Sequence, residues 1–328
     1  MNILCSVHLY PPQHLCGAEF MLHAINKHMM EKGHTVKVLL HQANHYKITE
    51  HYIFDEIDVF PPDEVTILNL FRWADVCITH LDYAKWTIHM AAMHQKPVIH
   101  LIHNTHPYEH IIHAEKPQYI VYNSEWAAKK LNYQHESIVV PPACDYRVYN
   151  VDKDTEKSEY ITLINLDHNK GGHILRAIAE ALPGKKFIGV KGSYSEPHAI
   201  GQQTEQPANV EVWEKQVDIR KVYEKTRILL MPSKYESWGR TATEAMASGI
   251  PVICTSTPGL LENCGEAGVY IQDRDKIMDW VKAIKKLDDR KSYMEQSKKA
   301  KARAVSLDPR KDLDRLEAFI IKAKQTYR

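Results

Sequence analysis

The stretch Tyr235-Glu-Ser-Trp-Gly-Arg-Thr-Ala-Thr-Glu-Ala-Met-Ala-Ser-Gly-Ile-Pro-Val-Ile253 decides the reading of this 328-residue chain. Glu236 and Glu244 stand eight positions apart. Gly239 opens a helical pattern between them, and an apolar strand, Pro251 to Cys254, follows. At a helix start the N–H groups of Gly239, Arg240 and Thr241 lack intrahelical acceptors, which suits a phosphate or diphosphate. Glu244 is expected in the first helical turn and Glu236 on the loop before it. Carboxylates are poor phosphate ligands but good acceptors for hydroxyls. A nucleotide-sugar, with its diphosphate and its sugar hydroxyls, answers both kinds of group.

Working outward, short runs rich in Val and Ile alternate with helical patterns along the whole chain. In the front half they are 2–7, 35–40, 74–80, 97–103, 119–124 and 137–142. In the back half they are 161–166, 186–191, 209–213, 227–231, 251–255 and 268–271. Strands separated by helices at this spacing predict βαβ units, parallel sheets and an α/β fold. The first helix is expected over 17–32, with Phe20, Met21, Ala24, Ile25, His28 and Met29 on one face and Gly33 ending it. The polar run from Asp145 to Ser158 separates two strand series. It predicts domains of 1–150 and 151–307, followed by a helix over 308–328 capped by Asp308 with Pro309 at its first position.

Composition fits a globular protein of two ordinary domains: 44% hydrophobic and 25% charged, with formal net charge +1. Nothing global points to nucleic acid. Residues 1–150 carry 11 Lys and Arg against 15 Asp and Glu, and residues 151–328 carry 31 against 26, so the back half is the one suited to a phosphate-bearing ligand. Six scattered cysteines with no Cys-x-x-Cys pair predict reduced thiols and a cytoplasmic protein. No leader sequence is expected, and no apolar run reaches the roughly 20 residues of a membrane span. The Lys-rich stretch from Lys282 to Arg303 allows peripheral contact with anionic membrane. Its interleaved Asp288, Asp289 and Glu295 favour a solvated helix face.

The 235–253 block resembles the Glu-x7-Glu signature of retaining GT-B glycosyltransferases, in particular glycosyltransferase family 4. Three further segments resemble that family in order and spacing. Tyr10-Pro-Pro-Gln-His-Leu-Cys-Gly-Ala-Glu19 is similar to its glycine-bearing opening loop, with Gly17 in the phosphate-friendly position. Ile161-Thr-Leu-Ile-Asn-Leu-Asp-His-Asn-Lys-Gly-Gly172 is similar to its diphosphate-holding segment. There Lys170 and Gly171 match, but Asn165 stands in place of an Arg, which removes a bidentate phosphate clamp. Either Lys170 and helix N-termini suffice, or another cation such as Arg240 compensates. Pro97-Val-Ile-His-Leu-Ile-His-Asn104 singles out His103 at the end of a strand. Val139-Val-Pro-Pro-Ala-Cys-Asp145 partly matches the family's interdomain crossing. In Ser256-Thr-Pro-Gly-Leu-Leu-Glu262, Gly259 is expected to make a turn and Glu262 to begin the next helix.

The resemblance implies two Rossmann-like domains facing across a cleft, with the acceptor on the front domain, the nucleotide-sugar on the back one, and the last helix crossing back to the front. It implies sugar transfer to a hydroxyl with retained configuration, needing no cofactor and no essential metal. Glu236 would support the anomeric centre and His103 would hydrogen-bond the transferred sugar. Glu244 would bind ribose hydroxyls, while Lys170 and the N–H groups of Gly239, Arg240 and Thr241 would hold the departing diphosphate, with Gly17 and Asn165 near the donor. Glu244→Ala is expected to abolish transfer with the fold intact. UDP- or GDP-sugars are the expected donors. No motif specifies the acceptor or an oligomeric state.

Rival readings remain at this point. The same fold could glycosylate a modified base in DNA, against which the acidic front half argues. A nucleotide-sugar epimerase or phosphorylase would consume donor without an acceptor. The chain's 20 histidines, 17 of them before residue 150, include His80 and the run His100, His103, His106, His110, His113. Helical spacing of the last three permits a zinc hydrolase. Pro107 breaks the run, and only Glu109 and Glu115 are near as second-shell carboxylates.

Overall fold

The computed structural model describes residues 1–328 except 15, 44–46, 107–117, 152–157, 193–205 and 328. The chain divides into two compact units: Met1–Ala143 with Pro309–Arg328, and Cys144–Asp308.

Unit 1 contains β1 (Asn2–Val7), α1 (Gly17–Glu31), β2 (Thr35–Leu40), β3 (Tyr52–Phe54), β4 (Ile57–Phe60), α2 (Glu64–Trp73), β5 (Val76–His80), α3 (Ala84–Met93), β6 (Val98–Ile102), β7 (Tyr119–Tyr122), α4 (Glu125–Leu131) and β8 (Glu136–Val139). Its sheet runs β3-β4-β2-β1-β5-β6-β7-β8. Every neighbouring pair is parallel except the β3–β4 hairpin, whose register is Tyr52↔Val59 and Phe54↔Ile57. The expected strands all form, with ends within a few residues. The hairpin is an addition the sequence pattern missed. Its turn residues Asp55 and Glu56 both adopt positive φ, at 51° and 69°, without the Asn-Gly or Asp-Gly that marks such a turn.

Unit 2 contains α5 (Tyr146–Tyr149), β9 (Tyr160–Ile164), α6 (Gly172–Ala181), β10 (Lys186–Val190), β11 (Val210–Trp213), α7 (Arg220–Tyr223), β12 (Thr226–Met231), α8 (Arg240–Ala247), β13 (Val252–Thr255), α9 (Pro258–Cys264), β14 (Gly268–Ile271), α10 (Ile277–Lys286) and α11 (Arg290–Ser306). Its sheet, β11-β10-β9-β12-β13-β14, is parallel throughout. The unit begins at Cys144, before the expected boundary, because Tyr146, Tyr149 and Val151 already pack on the core that holds Met246 and Ala300.

Helix ends follow local chemistry. The Asp63 carboxylate accepts from the Thr66 N–H to start α2, Ser124 Oγ from Ala127 to start α4, and Asp289 from Ser292 to start α11. The Lys-rich run falls on α10 and α11. There α11 buries Tyr293, Ser297, Ala300 and Ala304, its lysines are exposed, with Lys299 paired to Glu295 one turn away, and Arg303 turns inward to the carbonyls of Glu262 and Asn263.

The last helix, α12 (Arg310–Thr326), belongs to unit 1. Leu313, Leu316, Phe319, Ile320 and Ala323 enter the same core as Ile3, Val38, Ile78 and Met29. It starts one residue later than expected. Pro309 is the N-cap, and the Asp308 carboxylate before it pairs with Arg147 at 3.2 Å.

Both sheets reverse strand order beside their first strand: β1 lies between β2 and β5, and β9 between β10 and β12. Loops leaving the C-terminal ends of such strands are where open α/β sheets take ligands.

Candidate functional site

In unit 2 two such loops meet. The loop after β9 carries Asn165 to Gly171, and the loop after β12 carries Pro232 to Gly239. The Lys234 N–H donates to the Asn169 carbonyl at 2.8 Å. Arg274 bridges them, donating through Nε to the Pro232 carbonyl at 2.6 Å and through Nη2 to the His168 carbonyl at 2.8 Å. At their junction Lys170 Nζ lies 2.5 Å from Glu236 Oε1, which also accepts from Ser233 Oγ at 2.8 Å. The Thr255 hydroxyl anchors Ser233 in turn, donating to its carbonyl at 2.6 Å.

The start of α8 is built for close approach. Gly239 caps it at φ 84°, and a Cβ there would lie 2.6 Å from Leu260 Cδ2, so only glycine fits. Asn263, fully buried on α9, donates to the carbonyls of Trp238 and Gly239 at 3.1 and 2.9 Å and accepts from Thr243 at 2.9 Å. It thereby holds the loop carbonyls away from the helix end, and Arg240 and Thr241 follow as the first helical residues. Gly259 does not make a turn. It is the second residue of α9, and a Cβ there would lie 2.3 Å from the Ser237 carbonyl carbon, so its absence lets α9 lie directly against the Glu236–Ser237 backbone. Glu262 likewise sits within α9 rather than beginning it.

Glu244 lies in the second turn of α8, not the first: Gly239 is the cap, the helix begins at Arg240 and Glu244 is its fifth residue. This puts Glu244 one turn from Arg240, with Nε and Oε1 3.1 Å apart. The Tyr223 hydroxyl donates to Glu244 Oε2 at 2.8 Å, and Arg240 Nη2 donates to the Tyr149 hydroxyl at 2.5 Å. Burial pushes the Glu244 carboxyl above the usual carboxylate range, against the pull of Arg240 and Tyr223. The Arg240 guanidinium is thus engaged inside unit 2. The cation beside Glu236 is Lys170. Asn165 itself takes left-handed backbone, φ 78°, which Asn tolerates better than Arg, and its Oδ1 accepts from the Asp167 N–H at 3.0 Å.

In unit 1, Gly17 is the first residue of α1. A Cβ there would meet no atom within 4 Å, so protein packing does not require glycine at this position. His103 follows β6, its Nε2 2.9 Å from Nδ1 of fully buried His80 and its carbonyl accepting from Asn123 Nδ2 at 2.9 Å. His100 is buried within β6. His106 contributes its backbone N–H to Asn104 Oδ1. His110, His113, Glu109 and Glu115 of the helical zinc reading lie outside the described residues.

Sequence reasoning missed Asn263, Ser233, Thr255 and Arg274, which position the site through contacts at least twenty residues apart in all but one case. It also missed a buried cluster of His8, Glu19 and His80. The only signal was the placement of His80 and Glu19 at element ends.

Residues 151–303 match the family model described as glycosyl transferases group 1. This segment is a glycosyl transferases group 1 domain. It spans nearly all of unit 2 and contains every site residue just described there except Tyr149. A D-inositol 3-phosphate glycosyltransferase of Corynebacterium kroppenstedtii is 37% identical over 82 residues, 24% of this chain and 18% of its own length. The matched segments thus span less than a fifth of such curated relatives. The whole chain is similar in fold to the HepE protein of Anabaena, whose structure is in complex with UDP-glucose (TM-score 0.74, 14% identity, 97% of this chain and 99% of that one). It is also similar to a sucrose-phosphate synthase of Thermosynechococcus elongatus (TM-score 0.73, 15% identity, 100% and 98%). The group 1 domain and its partner unit therefore have the GT-B fold.

Proposed function

We propose that the chain is a retaining glycosyltransferase moving a sugar from a nucleoside-diphosphate sugar to an acceptor hydroxyl. The observation that carries this reading is the Lys170–Glu236 pair beside the glycine-capped start of α8. It brings a cation, a carboxylate and a helix N-terminus together within the group 1 domain.

The proposed step breaks the bond from the anomeric carbon to the diphosphate oxygen and forms one from that carbon to the acceptor oxygen. The acceptor proton passes to the leaving diphosphate, so no enzymic base is needed. Lys170 and the N–H groups opening α8 stabilise the charge that develops on the leaving group. Glu236 accepts hydrogen bonds from the sugar and faces its positive centre. Glu244, held by Arg240 and Tyr223, takes the ribose hydroxyls. His103 of unit 1 hydrogen-bonds the transferred sugar. The transfer step itself requires no metal. UDP-sugars are the first donors to try, given the ligand of the HepE structure. The six free cysteines support a reducing compartment, and no helix among the described residues is long and apolar enough to cross a membrane.

Thermal unfolding against UDP, GDP, ADP and their sugars tests the reading. Ligand at about 100 times Kd stabilises by roughly 2.7 kcal/mol. A shift with one nucleotide class, followed by product of retained configuration by NMR, is the expected result. Hydrolysis of donor with inverted configuration, or no nucleotide response, overturns it.

A further inference from the structure

We infer that His8, Glu19 and His80 bind one divalent transition-metal ion, zinc by preference, in the interior of unit 1. His8 directly follows β1, His80 ends the neighbouring β5, and Glu19 lies in the first turn of α1. One ligand atom from each lies within 4.8 Å of the others, and His8 Nε2 is 3.0 Å from Glu19 Oε1. Ligands about 2.0–2.2 Å from a tetrahedral zinc stand roughly 3.3 Å apart, so small side-chain adjustments close the shell. His14 Nδ1 lies 3.5 Å from the same Glu19 oxygen, and the fourth position is left to water.

A second observation points to a ligand. His80 is fully buried, its Nδ1 is engaged by His103, and its Nε2 has no hydrogen-bond partner among the described residues. Leaving a buried polar nitrogen in that state is unfavourable, and a metal bond removes the cost. Glu19, also fully buried, has its described ion pairs with His8 and His14. A buried carboxylate needs positive charge beside it. A divalent ion satisfies Glu19, both imidazoles and the idle His80 nitrogen together. A histidinium at His14 would satisfy Glu19 alone.

Two imidazoles and one carboxylate form a donor set characteristic of zinc. Here all three side chains are buried on three rigid elements, so the ion serves structure. It pins the loop between β1 and α1 to the end of β5, and through His80 Nδ1 it fixes the ring of His103. The ion takes no part in the proposed transfer step itself and touches it only through the ring of His103, whose role rests on the proposed function.

The test uses the full chain purified without added metal, Zn2+ and Co2+ as probes, and elemental analysis after dialysis. One equivalent of Zn2+ per chain, a tetrahedral Co2+ visible spectrum and a rise in unfolding midpoint on adding Zn2+ are expected. All three should be lost in Glu19→Gln and His80→Asn and kept in His89→Ala, a change at an exposed residue. The wild-type titration does not depend on any variant folding. No stoichiometric metal and no Co2+ spectrum in wild type overturns the site. So does an equivalent that survives Glu19→Gln and His80→Asn but disappears in His28→Asn, which would place the metal at the His28–Asp314–Glu317 group instead.

Discussion

Arg240 and Glu244 face each other across one turn of α8, Nε to Oε1 at 3.1 Å, both almost buried, with Tyr149 beyond the guanidinium and Tyr223 beyond the carboxylate. The pair lets a carboxylate stand inside the group 1 domain without an external cation. It also ties any role of Glu244 in ligand binding to the stability of the helix that carries it.

Glu244→Ala therefore does more than remove a ligand group, and the expectation that it spares the fold is revised. It strands a buried guanidinium, a change that costs about 3–5 kcal/mol. Urea unfolding should show this loss. Glu244→Gln keeps the Tyr223 hydrogen bond and should lose less stability while still weakening nucleotide binding. Equal stability of wild type and Glu244→Ala would count against the network.

Lys170→Ala should lower kcat about 100- to 1,000-fold, the range seen when one donor to a developing anion is removed. Its side chain is 35% exposed, so stability should change by less than about 1 kcal/mol. Lys170→Arg should recover part of the rate. Steady-state kinetics at saturating donor separate this from a defect in binding.

Asn263→Leu should slow transfer through geometry alone. It leaves two loop carbonyls and the Thr243 hydroxyl without their buried partner, at a cost of about 1–3 kcal/mol. Gly259→Ala should produce a similar defect by pushing α9 off Ser237. Nucleotide affinity should fall in both variants, and unchanged affinity would show that the loop needs neither residue.

Stability of unit 1 should depend on pH through His41, which bonds Ser6 Oγ at 2.8 Å and stacks on Tyr83. Burial lowers its pKa from 6.5 to about 4. The unfolded chain therefore binds the extra proton first as pH falls. The contribution is complete above about pH 6.5 and is lost toward pH 4. His41→Phe should flatten the acid side of a plot of unfolding free energy against pH.

The strands of both sheets were legible because each is a buried apolar run between helices, and the GT-B reading followed from the order of four motifs. The 52–60 hairpin was not legible, since Asp55-Glu56 is not a recognised turn pair and the strands have three and four residues. Glu236, Lys170 and Gly239 were found because each lies at an element end within a recognisable local pattern. Asn263, Arg274 and Tyr223 were not, because their partners lie on other elements and nothing in the local sequence announces a hydrogen bond made after folding. Glu244 is the fifth residue of α8 counted from Arg240, so it falls in the second turn whether Gly239 is taken as cap or as helix.

The return of α12 to unit 1 has a consequence for the order in which the chain is made. Unit 2 is one uninterrupted segment, so it can condense as soon as residue 308 has left the ribosome. Unit 1 must wait for residues 309–328, because Leu316, Phe319 and Ile320 fill part of its core. Throughout synthesis of unit 2, the apolar face formed by α1, β5 and β6 lacks the helix that covers it. The unit begun before the other is thus completed after it.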